Sequence, residues 1–153
     1  PSSAAFSTVE RGVPKRVVGP ERFAQMVADG DMLESAVVHG RNSYGTPRST
    51  VLKAADEGKY VLLEIDLQGA RQVKESMPDA HFVFLAPPSW DELVRRLVGR
   101  GTESAEEQQR RLETAKIELA AESEFDVTIV NDDVRRAAEA LVREMGVPTA
   151  PRA

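Results

Sequence analysis

Three arginines and an asparagine in the second half of the chain form its most informative set of chemically capable residues. Arg100 lies between two glycines, Arg110 and Arg111 follow in a helical pattern, and Asn131 ends an apolar run. A planar guanidinium group can hold two phosphate oxygens and stays charged throughout phosphoryl transfer. Arginines on an exposed helix are also common as solvated surface groups, but a position between two glycines is poorly explained in that way. The grouping predicts a lid over the phosphates of a nucleotide, with Asn131 placed either to read a base or to begin an Asn-Asp turn.

Two carboxylates in the first half of the chain lie where they could contact a ligand. Glu34 follows a helical pattern and a Gly-Asp turn, and Asp66 ends an apolar run. Open α/β sheets bind ligands beyond the carboxyl ends of their strands, where Asp66 would lie. The plain alternatives are an exposed loop glutamate at Glu34 and, for Glu64 inside the same apolar run as Asp66, an acid that faces out between its neighbours.

The composition is typical of a globular chain of one domain. It has 153 residues, 41% of them hydrophobic and 29% charged, and no run reaches the roughly 18 apolar residues that span a bilayer. The absence of cysteine excludes disulfides, thiolate metal ligands and thiol nucleophiles, and no segment is typical of a secretion signal. A net charge of −5 argues against general affinity for nucleic acid. We therefore expect a cytoplasmic protein that binds small ligands, and neither nucleic acid nor a membrane.

Short apolar, β-rich runs alternate with helical patterns along the chain. Buried strands are predicted at residues 60–66, 81–86 and 126–130, with the side chains of Phe82, Phe84 and Trp90 in the core. Helices are predicted at residues 21–28, 48–56, 70–76, 90–98, 105–123 and 134–145, and Ser104 with Glu107 forms a capping-box pattern. This alternation predicts right-handed crossovers and a mainly parallel sheet.

Six motifs, in this order, resemble the guanylate kinases, particularly those of actinobacteria. They are Leu33-Glu34, Tyr44-Gly45-Thr46, residues 64–69, residues 84–89, the arginine-bearing residues 99–111, and Val130-Asn131-Asp132-Asp133. The resemblance runs from about residue 20 to about residue 146. It implies a single domain over residues 1–153 with the three-layer α/β fold of P-loop nucleoside monophosphate kinases. A small GMP-binding region would cover about residues 20–58 and a helical lid about residues 100–123.

The resemblance also implies roles for individual residues. For the acceptor nucleotide, Glu34 and Thr46 would bind the guanine of GMP, Tyr44 its phosphate through the hydroxyl, and Gly45 would permit close approach. Asp66 would contact the guanine amine or organise nearby water and magnesium. For the donor nucleotide, Arg100 and Arg111 would reach the ATP phosphates when the lid closes, as the catalytic arginines, and Asn131 would contact the adenine.

The phosphate-binding loop expected in such a kinase is altered or lies elsewhere. One alignment of residues 1–9 places Ala5 at the last glycine of the loop and Phe6 at its lysine, and leaves Ser7 and Thr8 as the ATP-binding residues. In the other, Phe6-Ser7 begins the segment that binds the GMP phosphate, and the loop lies upstream. Under both alignments an arginine-bearing segment of the family and the strand ahead of the loop are missing. Either the chain is therefore a shortened or degenerate relative of these kinases, or its sequence joins pieces that further segments separate.

The leading function that the resemblance implies is guanylate kinase activity: transfer of the ATP γ-phosphoryl group to GMP, assisted by Mg²⁺, giving GDP and ADP. The alternative of a different class is a catalytically inactive guanylate kinase-like module that binds nucleotide or another protein, which Phe6 and the missing arginine segment favour. A third possibility is a shortened fragment without a stable fold. Cooperative unfolding that GMP shifts upward would exclude it.

Overall fold

The computed structural model describes residues 4–6, 17–38, 42–98 and 104–148. The chain divides into two compact units, Pro1–Ala80 and His81–Ala153. Within the described ranges, each unit has its own sheet, with four strands in the first unit and two in the second. Among the described residues, no helix has the length and apolar character that crossing a membrane requires.

The sheet of the first unit is mixed. Its strands are β1 (Ala4–Phe6), β2 (Val17–Val18), β3 (Met32–Val38) and β4 (Asn42–Pro47). They lie in the order β2-β1-β4-β3; β1 pairs parallel with β4, whereas the β1–β2 and β3–β4 pairs are antiparallel. The sequence analysis predicted none of these strands. Strand β4 in particular is mostly polar, and its glycine and proline resemble a turn.

Three helices of the first unit occur where the sequence predicts helices. They are α1 (Pro20–Ala28), α2 (Arg48–Asp56) and α3 (Leu67–Ser76). Helix α3 begins ahead of the predicted start at residue 70, because the Asp66 carboxylate accepts a hydrogen bond from the Gly69 N–H at 2.7 Å and so caps the helix. Phe23 of α1 and Met32 of β3 form a small buried core, against which Val18 and Met26 pack.

The strand predicted at residues 60–66 is absent from the structure, so that prediction was wrong. The segment has no regular secondary structure, and its side chains alternate: Leu63 is half-buried, whereas Leu62 and Glu64 are exposed. Such alternation is typical of an extended chain with one face packed. A strand also needs a hydrogen-bonded neighbour, and none of the described strands pairs with this segment. Because Glu64 is exposed, it carries no burial penalty.

The second unit follows the predicted alternation closely. Its parallel strands pair Val83 with Val127 through Ala86 with Val130, and Ser104 and Glu107 make both hydrogen bonds of the predicted capping box. The predicted helix at 105–123 ends earlier, and its last turn is a separate 3₁₀ helix, Glu122–Glu124. The elements are β5 (Val83–Ala86), α4 (Trp90–Val98), α5 (Ala105–Ala120), β6 (Val127–Val130) and α6 (Val134–Glu144).

Aromatic side chains contribute to the second unit in two ways. Phe84 packs edge to face on Phe125, with ring centroids 5.1 Å apart. Phe82 and Phe84 are half-buried, in agreement with a core role. Trp90 was wrongly assigned to the core: it is 36% exposed, and the Lys116 ammonium lies 5.8 Å from its ring centroid. That contact is a cation–π interaction between α4 and α5.

Candidate functional site

A buried carboxylate lies at the centre of the first unit's hairpin. Glu34 of β3 is only 4% exposed and stands opposite Thr46 of β4, whose side chain is fully buried. The Thr46 hydroxyl donates a hydrogen bond to Glu34 Oε1 at 2.6 Å. Glu34 is therefore not the exposed loop residue of the plain alternative. An acid buried to this extent is found where a hydrogen-bonding partner or a ligand compensates for lost water.

The electrostatic surroundings of this carboxylate are unfavourable for its charge. Burial raises the pKa of Glu34 above its usual value of 4.5, and the Asp66 carboxylate acts in the same direction, although hydrogen bonds from the side chain and backbone of Thr46 oppose the rise. Burial also raises the pKa of the Tyr44 hydroxyl, with smaller contributions from Asp66 and Glu34. Tyr44, Glu34 and Asp66 therefore lie close enough to influence one another.

Gly45 permits the close approach of β3 and β4. A Cβ atom at this position would lie 2.6 Å from the Glu34 carbonyl oxygen and 3.2 Å from Ser35 Cα. Both are backbone atoms that cannot move aside without distorting the hairpin. The sequence analysis predicted that Gly45 allows close approach of the nucleotide. In the structure, the group that approaches Gly45 closely is the backbone of the neighbouring strand β3.

Asp66 and Glu34 approach each other around Gly69, in the first turn of α3. A Cβ atom on Gly69 would lie 3.3 Å from Asp66 Oδ1 and 3.6 Å from Glu34 Oε2. Oxygens of both carboxylates therefore border the same glycine. The Asp66 carboxylate has a structural task as well, because it is the N-cap of the helix. The geometry thus brings together Glu34, Thr46, Tyr44 and Asp66 from three parts of the sequence.

Helix α3 also holds the outer edge of β3, through residues that the sequence analysis missed. The Gln72 side chain accepts a hydrogen bond from the Ser35 N–H at 3.0 Å and donates one to the Ser35 carbonyl at 3.1 Å. The Ser76 hydroxyl donates to the Leu33 carbonyl at 2.9 Å. Arg48 in turn donates to the Ser76 carbonyl at 2.6 Å. The polar residues Gln72 and Ser76, four apart on one helix face, were the available signal.

The predicted donor-side residues belong to the second unit or lie outside the described residues. Arg110 and Arg111 are exposed on α5, and Asn131 follows β6, where its N–H donates to the Ala86 carbonyl at 2.8 Å. The chain bends at residues 132 and 133, where Asp133 caps α6, and the half-buried Asn131 keeps its candidate role beside this bend. Ser7, Thr8 and Arg100 lie outside the described residues.

Comparison with solved structures gives the class of protein. The chain matches a crystal structure described as guanylate kinase from Anaplasma phagocytophilum with a TM-score of 0.64 and 29% sequence identity, over 97% of this chain and 76% of that one. The match, the β5–β6 parallel pair and the interleaved helices define a mixed α/β protein with the P-loop nucleoside monophosphate kinase fold.

Comparison with sequences narrows the class to a family. The family model described as guanylate kinase matches residues 11–146, and the chain belongs to this family. Proteins named guanylate kinase from Leifsonia xyli and Streptomyces kasugaensis are both 59% identical to it, over 92% and 89% of this chain. The match covers 55% of the first relative and 66% of the second. A third, from Thermobifida fusca, is 58% identical, over 90% of this chain and 70% of its own length.

Proposed function

We propose that this chain binds GMP and acts as an ATP:GMP phosphotransferase, forming GDP and ADP in purine nucleotide metabolism. The observation that carries the proposal is the Glu34 carboxylate, buried to 4% exposure with Oε1 held by the Thr46 hydroxyl. A guanine edge offers two adjacent N–H donors and would neutralise the cost of burying this charge. The relatives named guanylate kinase support the same reading.

The residues of the first unit divide the recognition of GMP among them. Glu34 would accept hydrogen bonds from the guanine edge, and Thr46 would keep one carboxylate oxygen in place while contacting the base. Asp66 would contact the guanine amine. Tyr44 would donate its hydroxyl to the GMP phosphate. A tyrosine hydroxyl is protonated at neutral pH at its usual pKa of 10, and burial raises the pKa of Tyr44 further. Adenine lacks the matching pair of donors, so AMP would leave the buried carboxylate unpaired.

The donor side depends on charge and positioning. The exposed Arg111 of α5, with Arg100, would neutralise the phosphate charge of ATP, and Asn131, Ser7 and Thr8 would contribute to ATP binding. No side chain has to act as a covalent nucleophile, because an oxygen of the GMP phosphate can attack the γ-phosphorus directly. Catalysis would then come from alignment of the two nucleotides and charge neutralisation.

Magnesium fits this scheme as a companion of ATP. Among residues 4–6, 17–38, 42–98 and 104–148, no cluster of three or more His, Cys, Asp or Glu side chains could hold a metal ion. Mg²⁺ keeps several waters and is commonly bound by substrate phosphates with one or two carboxylates. We propose that Mg²⁺ enters with ATP, where it would supply charge neutralisation. Organising the water around Mg²⁺ is the alternative role for Asp66 to contacting the guanine amine.

A second candidate is a guanylate kinase-like module that binds GMP without transferring phosphate. Ala5 and Phe6 form a strand that pairs with Tyr44 and Gly45, which fits the alignment of Phe6-Ser7 to the GMP-phosphate segment better than a loop around ATP phosphates. Because β1 places Phe6 in a strand and not in a phosphate-binding loop, the second candidate is that these 153 residues by themselves bind GMP without phosphotransfer.

A coupled assay of GMP-dependent ADP formation separates the two candidates. The 153-residue chain is tested with ATP and Mg²⁺ beside the variants Glu34→Ala and Arg111→Ala. Turnover that both variants reduce would support the kinase, with a rise in KM for GMP in the first and a fall in kcat in the second. A folded chain that binds GMP without turnover would support the inactive module. A folded chain that binds no GMP would contradict both.

A further inference from the structure

The side chain of Gln72 is paired with the backbone of one residue in a different element. Its Oε1 accepts the Ser35 N–H and its Nε2 donates to the Ser35 carbonyl, at 3.0 and 3.1 Å. The contact therefore reproduces the two hydrogen bonds that a neighbouring strand would make to Ser35. Ser35 directly follows Glu34, so the pair fixes the backbone beside the buried carboxylate.

The strand that carries Glu34 needs such support. β3 is an edge strand of its sheet, and its ladder with β4 is interrupted by a register shift between Met32 and Glu34. A bulge of this kind loosens local pairing and can re-aim a side chain. On the open edge, the Ser76 hydroxyl holds the Leu33 carbonyl and Gln72 holds Ser35, so α3 fixes the residues on both sides of Glu34.

We propose that Gln72 is a positioning residue that sets where the Glu34 carboxylate lies relative to the Asp66 carboxylate, and thereby sets the preference for guanine over purines that lack its amino group. The inference rests on the proposed binding of GMP. Asp66 is the N-cap of α3 and Gln72 lies within the same helix. One rigid helix therefore positions the Asp66 carboxylate and, through Gln72, the backbone beside Glu34. Thr46 fixes a carboxylate oxygen of Glu34, and Gln72 fixes the backbone from which that side chain extends.

The test compares binding of GMP and inosine monophosphate, which lacks the 2-amino donor, to the wild-type chain and to Gln72→Met by isothermal titration calorimetry. Methionine keeps the length of the side chain and removes both hydrogen bonds. A hydrogen bond to a charged group corresponds to at least about a tenfold preference for GMP in the wild type. We expect Gln72→Met to lose most of that preference, because a displaced carboxylate no longer meets both guanine donors.

The ratio of the two affinities separates positioning from stability. A purely structural role would lower the melting temperature and leave the ratio in the folded protein unchanged. Gln25→Met is the matched control, since Gln25 makes an exposed hydrogen bond to Asp29 on α1, and its ratio should equal that of the wild type. If Gln72→Met does not fold, Gln72→Glu answers the question, because it keeps the acceptor for Ser35 and loses the donor, and should lose part of the preference.

Two results would overturn the proposal. A wild-type preference that survives unchanged in Gln72→Met or Gln72→Glu overturns the positioning role and leaves the proposed function intact. A folded wild-type chain that binds neither nucleotide, or binds both equally, overturns the positioning role and the proposed guanine recognition together.

Discussion

At the scale of residues, the first unit concentrates its polar chemistry around one acid. Glu34 is buried, accepts a hydrogen bond from Thr46 and lies near a second carboxylate at Asp66. Buried acids with a raised pKa are costly to the folded state and frequent at binding sites. We therefore expect the protein to be less stable, at neutral pH, than a version in which this position is uncharged.

Replacing Glu34 by Gln should raise stability and abolish guanine recognition. The glutamine carbonyl can still accept from Thr46 but carries no buried charge. Because the pKa of Glu34 is raised above its usual value of 4.5 in the folded state, protonation of Glu34 stabilises that state. This contribution to the free energy of unfolding is fully present below pH 4.5 and is lost as pH rises through the raised pKa. Thermal melts should therefore show Glu34→Gln above the wild type at pH 7, with a gap that closes towards pH 4. A gap that widens on acidification would contradict this account.

Gly45→Ala should destabilise the hairpin by about 1–3 kcal/mol, the usual cost of overpacking. The added methyl group would lie 2.6 Å from the Glu34 carbonyl oxygen, a backbone atom that cannot give way cheaply. Urea unfolding measures the effect. Gly19→Ala is the spatial control, since its Cβ would meet only a Glu21 carboxylate oxygen at 3.6 Å. Equal effects of the two substitutions would argue against the packing explanation.

At the scale of elements, α3 combines a structural and a proposed binding function. Its N-cap is Asp66, its body holds β3 through Gln72, and Arg48 occupies a carbonyl at its end. The early start of this helix was not evident from apolar periodicity, because capping by a side chain three residues ahead of Gly69 decides it.

Asp66→Asn and Asp66→Ala should separate these two functions. Asparagine is as good an N-cap as aspartate, so its variant should remain within a few tenths of a kcal/mol of the wild type, whereas alanine should cost about 1 kcal/mol. Both variants should bind GMP more weakly, because both lack the charge that meets the guanine amine. Chemical denaturation and GMP titration provide the two readouts. If the Asp66→Asn variant binds GMP with the affinity of the wild type, Asp66 acts only as the N-cap of α3 and not in binding the guanine amine.

At the scale of the whole molecule, the chain carries a net charge of −5 and has a pI of about 5.2. The proposed phosphate-binding groups are therefore local arginines in an acidic molecule. Such a charge disfavours the many contacts between basic side chains and phosphates whose counterion release drives unspecific binding to nucleic acid.

The chain should pass through a heparin column without retention at pH 7.4 and about 0.15 M salt, where surface charges are screened beyond roughly 8 Å. An anion exchanger should retain it under low salt. If the chain is retained on heparin and neither GMP nor ATP elutes it, the protein has a basic surface patch that its net charge does not indicate.

The sequence predicted the second unit and the helices of the first unit well, but it missed the strands of the first unit. Strands β5 and β6 are continuous apolar runs, and α4 and α6 have the expected helical periodicity, so local patterns were sufficient there. Strand β4, with Asn42, Ser43 and Gly45, has no apolar pattern, and its pairing with β3 depends on long-range register. Residues 60–66 have an apolar pattern that suits a strand, but they form none, because no described strand pairs with them.

The residues of the candidate site could be named from the sequence, but the contacts that assemble them could not. Glu34, Tyr44, Thr46 and Asp66 were identified from motifs, and the structure brings them together in one unit. Gln72 was missed because a glutamine on a helix has many ordinary explanations, and only the fold shows that it faces the backbone of Ser35.

The hydrogen bond between Thr46 and Glu34 has a consequence for the entropy of binding. A glutamate side chain loses up to about 1.5–2 kcal/mol of rotamer freedom when it is fixed. Here that loss already occurs during folding, because a hydrogen bond within the protein, from the Thr46 hydroxyl, holds Glu34 Oε1 at 2.6 Å. A guanine base would then meet a preorganised acceptor, and removal of the hydroxyl, as in Thr46→Val, would weaken binding largely through a less favourable entropy.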